Sequence, residues 1–278
     1  IVDTPATTDS EYGMVGGLPL AGDFNGDGTD ELVMFSHGFW FVDFNGNMKW
    51  DSEDLWAELG SDSDVPVVGD WDGDGKDDIG VYGPQWLNDL RAIDVEMGLP
   101  DLDNKLVGEA KNIPPFRENA SVGGRKLKLR SNGNARTDLV DHVFRYGTKE
   151  DMPVTGDWNG DSIRNIGVFN AGQWKLDSDG DGRLTSNDKI VEFGQEGDLP
   201  VVGDFNGDGV EQIGIYRGGI WIVDSNSNGE LDATDKVFEL GTAGDIPVVG
   251  DFDGDGIDEP SVYSIKRDIV TTPISKAG

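Results

Sequence analysis

Short apolar runs separated by Gly, Asn and Asp recur along much of the chain. Within residues 200–247, four such runs read PVVGDF, QIGIYR, GIWIVD and KVFEL. Runs of this length, rich in β-branched and aromatic residues and bounded by turn residues, are typical of β-strands. The pattern therefore predicts four strands in a unit of this size.

The unit recurs in a fixed frame around one aspartate. Gly stands ten residues and one residue before it, Pro four before, and aromatic residues follow at one and twelve positions later. The five aspartates are Asp23, Asp70, Asp157, Asp204 and Asp251. Three of their spacings are 47 residues and one is 87, which indicates an insertion of 40 residues. A four-stranded unit of about 40 to 50 residues is the size of a propeller blade, so we predict an all-β, five-bladed β-propeller of four-stranded blades.

The two ends of the chain are complementary parts of one repeat. The last repeat runs out after a second or third strand, whereas residues 11–13 (EYG) match the end of a unit at 239–241 (ELG). We predict one domain over residues 1–278, with an insertion at about 84–123 in blade two. The predicted repeats are about 23–69, 70–156, 157–203, 204–250, and 251–278 plus 1–22. The fifth blade is either closed within one chain or completed by a neighbouring subunit, which would produce head-to-tail filaments.

Each opening aspartate starts a loop with oxygen-bearing side chains at alternate positions. Such a loop suits calcium, because it offers side chains at positions 1, 3, 5 and 9, a carbonyl at position 7 and a glycine at position 6 for the turn. Magnesium would fit so flexible a loop poorly. The predicted ligands are Asp23, Asn25, Asp27, Thr29 and Glu31 in loop one; Asp70, Asp72, Asp74, Lys76 and Asp78 in loop two; Asp157, Asn159, Asp161, Ile163 and Asn165 in loop three; Asp204, Asn206, Asp208, Val210 and Gln212 in loop four; and Asp251, Asp253, Asp255, Ile257 and Glu259 in loop five. A single copy would be an ordinary turn, but five copies in register predict several calcium ions.

The five loops are not equivalent. Loops two and five have carboxylates at all four side-chain positions. Loop four has Gln212 at position 9, and loop three has Ser162 in place of the glycine and Asn165 at position 9. We therefore predict that loop three binds calcium most weakly.

A second type of loop lies twenty residues after the first and has the spacing of an EF-hand loop. We name these the side loops. Their predicted ligands are Asp177, Asp179, Asp181, Arg183 and Asp188 in one, and Asp224, Asn226, Asn228, Glu230 and Asp235 in the other. A third and weaker copy contains Asp43, Asn45, Asn47 and Asp54, with Met48 replacing the glycine. In the second unit Arg130 stands at the first ligand position, which predicts that no ion binds there.

Residues 193–209, FGQEGDLPVVGDFNGDG, resemble the FG-GAP repeat of integrin α-subunit propellers and their bacterial relatives, and the side loops resemble dockerin or EF-hand loops. The resemblance covers nearly the whole chain except the insertion and the extreme ends. It implies calcium loops that brace the blades, but it implies no particular ligand, because such propellers serve in adhesion, in scaffolding and as accessories to enzymes. Integrin propellers have seven blades and this chain offers five, so the integrin ligand face does not map onto it.

Composition narrows the classes of partner. The chain has 54 acidic and 22 basic residues, a net charge of −32, which argues against nucleic acid and anionic lipid and favours cations. There is no cysteine and no apolar run of about eighteen residues, so we expect no thiol chemistry and no membrane insertion. The chain begins at Ile1 without a signal peptide, as a processed or excised piece would.

The sequence favours a secreted, extracellular or cell-surface module with a structural or adhesive role. The histidines His37 and His142 lie in no catalytic motif, so we expect no enzyme activity. The expected partners are further copies of the chain, a cell surface or an extracellular polysaccharide. Lys126, Lys128 and Arg130 alternate along a predicted strand, where they either face solvent or dock on the acidic surface of another copy. The alternative function is an accessory carbohydrate-binding domain of a secreted enzyme.

Overall fold

β-strands are the regular elements of this protein, and most of them follow one another in antiparallel meanders. The computed structural model describes residues 7–11, 17–49, 53–59, 64–71, 73–82, 128–129, 141–144, 146–180, 182–267 and 269–273. Within these ranges the chain forms no helix. Accordingly, no described helix is long and apolar enough to cross a membrane.

Three sheets have the four antiparallel strands of a propeller blade, and the first sheet has four such strands plus a short fifth strand at its edge. The first contains β2 (Leu18–Gly22), β3 (Glu31–Ser36), β4 (Phe39–Val42) and β5 (Leu55–Glu58); the third contains β10 (Met152–Gly156), β11 (Asn165–Asn170), β12 (Gln173–Leu176) and β13 (Lys189–Glu192). The fourth contains β14 (Leu199–Gly203), β15 (Gln212–Arg217), β16 (Ile220–Val223) and β17 (Lys236–Glu239); the fifth contains β18 (Ile246–Gly250), β19 (Glu259–Ser264), β20 (Ile269–Pro273) and β1 (Thr7–Glu11). These sheets confirm an all-β fold with a β-propeller arrangement.

The second sheet departs from this pattern. It contains β6 (Val65–Gly69), β7 (Asp78–Tyr82) and β9 (Asp141–Phe144), and β9 runs parallel to β7 rather than antiparallel. Strand β8 (Lys128–Leu129) lies elsewhere, on the outer edge of β5. Parallel neighbours require a long crossover connection, which the chain between β7 and β9 supplies. The expected four-stranded meander for 70–156 is therefore not found among the described strands, and the predicted insertion at 84–123 lies outside the described residues, as do Lys126 and Arg130.

The two ends of the chain meet in the fifth sheet. β1 pairs antiparallel with β20 of the same chain, from Thr7 opposite Pro273 to Glu11 opposite Ile269. The Thr271 hydroxyl also donates to Asp9 Oδ1 at 2.7 Å. The N-terminal strand thus supplies the fourth strand of the last sheet, as the matching of residues 11–13 with 239–241 predicted.

The innermost strands of the sheets contact one another in a closed cycle. β2 contacts β6, and the contacts continue through β10, β14 and β18 back to β2. Each junction between successive sheets has its own buried apolar cluster; for example, Val262 of the fifth sheet packs with Tyr216 and Trp221 of the fourth. Burial of these side chains is the main favourable contribution to holding neighbouring sheets together.

A tryptophan on the third strand anchors three of the sheets. Trp40, Trp174 and Trp221 are each completely buried. Their indole N–H groups donate to the carbonyls of Leu59, Phe193 and Leu240 at 3.0, 2.8 and 3.1 Å. Each ring also packs against the aromatic residue opposite it on the second strand, with centroids 4.8–5.3 Å apart. The indole therefore fixes the chain segment that leads to the next sheet.

Replacing Trp174 by Phe should lower the free energy of unfolding by about 1 to 3 kcal/mol, because the carbonyl of Phe193 loses its donor and the core loses volume. Urea unfolding with calcium present measures this loss. Phe39→Leu, at a 41% exposed position of β4, is the control and should change stability by less than about 0.5 kcal/mol. Equal losses in both variants would contradict the anchoring role of Trp174.

Candidate metal centre

The five aspartate-rich loops lie on one face of the propeller, around one end of its axis. Each follows the last residue of an innermost strand. A side chain from one loop lies against a glycine of the preceding loop: a Cβ added at Gly26 would come within 3.2 Å of Lys76, and one at Gly254 within 3.2 Å of Thr29. The same holds at Gly73, Gly160 and Gly207. The loops therefore form a continuous ring, in which the glycine at position 4 leaves room for the residue at position 7 of the next loop.

The aspartate at position 1 organises each loop by accepting main-chain N–H groups. Asp251 Oδ1 accepts from Gly254 at 2.7 Å and Asp255 at 3.2 Å, and its Oδ2 accepts from Gly256 at 2.8 Å. The other four loops repeat this geometry around Asp23, Asp70, Asp157 and Asp204. In every loop the main-chain N–H of position 7 donates to the carboxylate at position 5 at 2.9–3.0 Å. The donors are Thr29, Lys76, Ile163, Val210 and Ile257. The backbone is thus curled so that position 5 faces position 1.

Loops one and five bring their predicted carboxylates together. In loop five, Asp251, Asp253, Asp255 and Glu259 each place a carboxylate oxygen within 4.8 Å of the others. In loop one, Asp23, Asp27 and Glu31 do the same. Asn25 lies beside them, and its amide donates to Glu31 Oε1 at 2.6 Å. Such sets of hard oxygen atoms could hold a metal ion.

Loops two and four are less complete. In loop two, Asp72 lies outside the described residues, whereas Asp78 is buried and accepts the Trp71 N–H at a long 3.4 Å. In loop four, the Gln212 amide nitrogen donates to the carbonyl of Val210, the predicted position 7 ligand. The Gln212 oxygen is buried without a hydrogen-bond partner among the described residues. At position 9, loop four therefore has the neutral amide of Gln212, whereas loop five has the carboxyl group of Glu259.

Loop three differs most from the others. Ser162 has a φ of 66°, a left-handed conformation that a non-glycine residue adopts at some cost, and glycines with φ of 80–86° occupy this position elsewhere. Asn165 donates its side-chain amide to the Ile163 carbonyl at 3.3 Å. The Asn159 amide donates to the Ser178 carbonyl of the neighbouring side loop at 3.0 Å and also to Asp161 of its own loop at 3.3 Å. These contacts are consistent with weak calcium binding by loop three, which stays a prediction.

The side loops join the third and fourth strands of three sheets, so the antiparallel topology places them on the same face as the five loops. Asp177, Asp179 and Asp188 place carboxylate oxygens within 4.8 Å of one another, while Asp181 lies outside the described residues. Asp224 Oδ2 accepts the Gly229 N–H at 2.7 Å, and Asp235 accepts those of Ser225 and Asp232. In the third copy, Met48 has a φ of 59° where the other two have glycine.

The sequence analysis missed Asp232, which occupies position 9 of the side loop that begins at Asp224. The amides of Asn226 and Asn228, two predicted ligands, donate to its Oδ2 at 3.3 and 3.0 Å. Hydrogen bonds from Thr234 lower the pKa of Asp232 to about 2, and the bond from its hydroxyl has a larger effect than the bond from its N–H. The available signal was its position in the EF-hand spacing, where position 9 often supplies a ligand.

A second missed feature is the residue at position 8 of each loop, which points towards the axis. Asp77 Oδ2 accepts the Asp23 N–H at 3.0 Å, and the Asp77 N–H donates to the Asp23 carbonyl at 2.7 Å. Asp258 and Asp204 are joined in the same two ways, and so are Asp30 and Asp251. Glu211 accepts the Asp157 N–H at 2.6 Å. The sequence signal was strand alternation, because positions 8 and 9 of an extended segment point in opposite directions.

Position 8 of loop three is Arg164, the one cation of this axial ring. Its guanidinium lies 3.3 Å from Glu211 and 3.8 Å from Asp77, and it lines a cavity of about 160 Å³ on the axis. Burial lowers its pKa, but the carboxylates of Asp77 and Glu211 outweigh burial and raise it overall. Burial raises the pKa of Glu211 to about 6, with Arg164 opposing the shift. Burial and neighbouring carboxylates also raise the pKa of Asp30 well above its usual value.

Burial also perturbs the carboxyl groups at position 9. It raises the pKa of Glu31 to about 8; the Phe24 N–H opposes this shift, and Asp23 and Asp27 add to it. It raises the pKa of Glu259 to about 7, with a similar contribution from the acids of loop five. Without a cation these carboxyl groups therefore retain protons near neutral pH. A bound cation would favour their ionised forms.

Comparison with known proteins adds little to this picture. No protein-family model and no curated protein matches the chain. Among solved structures, the chain is similar to one in the Tc holotoxin pore of Photorhabdus luminescens carrying a TccC3 mutation, at 11% sequence identity and a TM-score of 0.46. The match covers 98% of this chain and 15% of that chain.

The metal-free protein should lose stability as the pH rises from about 4.5 to 8. Glu31 and Glu259 have folded-state pKa values of about 8 and 7, above the value of 4.5 for a free glutamate, so the unfolded chain releases these protons first. Urea midpoints of protein dialysed free of metal measure the trend. Glu31→Gln and Glu259→Gln should flatten it, whereas the exposed control Glu192→Gln should not. If the urea midpoint falls equally with pH in the wild type and in all three variants, Glu31 and Glu259 do not cause the trend.

Removing the axial cation should destabilise the ring. Arg164→Gln should cost about 3 kcal/mol, because Asp77 and Glu211 lose their counter-charge. Adding Glu211→Gln to that variant should restore part of the loss, since the amide can still accept the Asp157 N–H. Arg183→Gln, a cation outside the ring, is the control. Additive losses in the double variant would show that Arg164 does not act through Glu211.

Proposed function

We propose that this protein is a calcium-braced, five-bladed β-propeller of the FG-GAP type that serves as an extracellular structural or adhesive module. The observation that carries the proposal is the pair of carboxylate clusters in loops one and five, set within a ring of five loops with one backbone geometry. The closed cycle of innermost strands supports five blades, with the three-stranded sheet as an irregular second blade.

Calcium fits the donor set better than other biological cations. The clusters offer carboxylate, amide and carbonyl oxygens and no sulfur or imidazole, a chemistry that favours hard cations. Most residues of the clusters lie in loops, and only Glu31 and Glu259 begin a strand, so the clusters suit the flexible, high coordination of calcium better than the strict octahedron of magnesium. A bound ion would also neutralise part of the net charge of −32.

The proposed role of the ions is mechanical. Each loop connects the innermost strand to the second strand of its blade and contacts the next loop through positions 4 and 7. An ion held at positions 1 to 9 would lock this connection, so calcium should stiffen the blade junctions as well as the loops. The pairing of β1 with β20 in one chain favours a closed ring, in which assembly into filaments would use surfaces other than the chain ends.

Calcium should raise the melting temperature, and loops one and five should bind the tightest ions. Glu259→Gln should weaken one site about tenfold or more, because it removes a charged ligand, whereas Asn165→Gln in loop three should leave the tight sites unchanged. Calcium titration by isothermal calorimetry, with magnesium as the comparison cation, measures both effects. No bound calcium, together with an unchanged melting temperature on chelation, would falsify the proposal.

The structural or adhesive role has its own test. Light scattering of the purified protein in calcium over a range of concentrations shows whether copies associate, and binding to extracellular polysaccharides is scored on a glycan array. Association or polysaccharide binding that is lost on chelation supports the module. Turnover of a polysaccharide by the isolated chain would contradict a purely structural role.

A further inference from the structure

Three successive repeats contain the same side-chain pair on the face opposite the five loops. We call each pair, with the turn around it, a corner. An aspartate stands just before the innermost strand, and its partner ends the second strand 19 residues later: Asp151 with Asn170, Asp198 with Arg217, and Asp245 with Ser264. In each corner, aspartate Oδ2 accepts a main-chain N–H from three residues upstream, at 2.7–2.9 Å. In all three repeats, Oδ2 of the aspartate therefore fixes the turn that precedes the innermost strand.

The other oxygen is treated differently in the last repeat. Asp151 Oδ1 accepts the Asn170 amide at 2.8 Å, and Asp198 Oδ1 accepts Arg217 Nε at 2.6 Å. Arg217 also donates to Asp198 Oδ2 at 2.7 Å, which completes a two-pronged guanidinium contact. The third partner is Ser264, and no described side chain donates to Asp245 Oδ1. Yet Asp245 is only 8% exposed, close to the 7% of Asp151, whereas Asp198 under its arginine is 1% exposed.

Asp245 lines a cleft of about 380 Å³ between the end of the fourth sheet and the outer strands β1 and β20. Among its described lining residues, Asp9 and Glu239 are also acidic, and Arg267 is the one cation. Arg267 donates its Nε to the Ser264 hydroxyl at 3.3 Å and forms no ion pair with Asp245 among the described residues. The described lining of the cleft therefore has three carboxylates and one guanidinium, an excess of negative charge. Asp245 is only 8% exposed, and its Oδ1 receives no hydrogen bond from the described side chains, so this oxygen favours a cationic hydrogen-bond donor that enters the cleft.

We propose that this cleft binds a guanidinium group, the group with which the neighbouring repeat fills the same corner. The ligand would place its planar N–H fork on Asp245, as Arg217 does on Asp198, while Asp9 and Glu239 attract it electrostatically. The source of the guanidinium is an arginine side chain of a polypeptide or a small guanidinium compound. The site lies on the face opposite the calcium loops, so it does not depend on calcium binding by those loops.

The test is a titration of the calcium-saturated protein with blocked arginine, N-acetyl-arginine methylamide, followed by NMR or calorimetry. We expect saturable binding at one site, with the neutral isostere N-acetyl-citrulline methylamide at least about tenfold weaker. Asp245→Asn, which keeps an acceptor for Thr242, should weaken binding at least about tenfold. Asp198→Asn is the matched control and should leave it unchanged, because Arg217 already occupies that corner. Retained melting temperatures establish that both variants are folded.

Two further variants decide how the corner is filled. Arg217→Ala empties the neighbouring corner, so the stoichiometry should rise from one site to two. Arg267→Ala should strengthen binding, because it removes a like charge from the cleft. Binding that appears only in Arg267→Ala would show that Arg267 fills the corner itself, and equal binding of the citrulline compound would show that charge is not recognised; either result overturns the proposal.

The source of the guanidinium is separated by sedimentation at increasing protein concentration. Copies that associate in wild type but not in Asp245→Asn, and that blocked arginine separates, identify an arginine of a second copy. A monomer that binds blocked arginine identifies a foreign peptide or small compound.

Discussion

The structure depends on how like charges are accommodated around one end of the propeller axis. At four of the five junctions, a carboxylate at position 8 accepts the N–H of the opening aspartate of the preceding loop, and at three of these the main chains are also joined in the reverse direction. These bonds connect residues that are far apart in sequence, such as Asp30 and Asp251 at the two ends of the chain. Each carboxylate is thereby satisfied, but the set remains strongly repulsive.

Two devices offset that repulsion. Arg164 supplies one permanent cation on the axis, close to Asp77 and Glu211. The five loops form the outer side of the ring, and the proposed calcium ions would supply the remaining charge there. In loops three and four, side-chain amides donate to the position 7 carbonyl, so a neutral hydrogen bond takes a place that an ion would otherwise have. The repulsion around the ring is therefore offset by one fixed cation, by amide hydrogen bonds in loops three and four and, in our proposal, by bound calcium.

Apolar packing and the polar ring have separate duties. The buried tryptophans and the clusters between sheets hold each blade to its neighbour along its length, whereas the loops set the geometry at the axis. This division explains the glycine that precedes three of the opening aspartates: a Cβ at Gly22, Gly203 or Gly250 would come within 2.6–2.8 Å of the position 8 carboxylate of the next repeat. At Gly69 and Gly156 the nearest atom belongs instead to the tryptophan that follows the aspartate. The opposite face is free of this constraint, and there the repeats diverge, as the corners of Asp198 and Asp245 show.

The repeat frame alone determined much of this protein. It placed the opening aspartates, the strands of four of the five sheets and the matching of the two chain ends, because each depends on local spacing or on the match of one repeat with another. It left open whether a neighbouring chain completes the last sheet. Three features depended on the tertiary structure. The parallel pairing of β9 with β7 follows from where the chain returns after a long excursion, which spacing does not encode. The axial ring and the open corner at Asp245 join residues of different repeats or different loops, so their roles emerge only when the repeats are arranged in space.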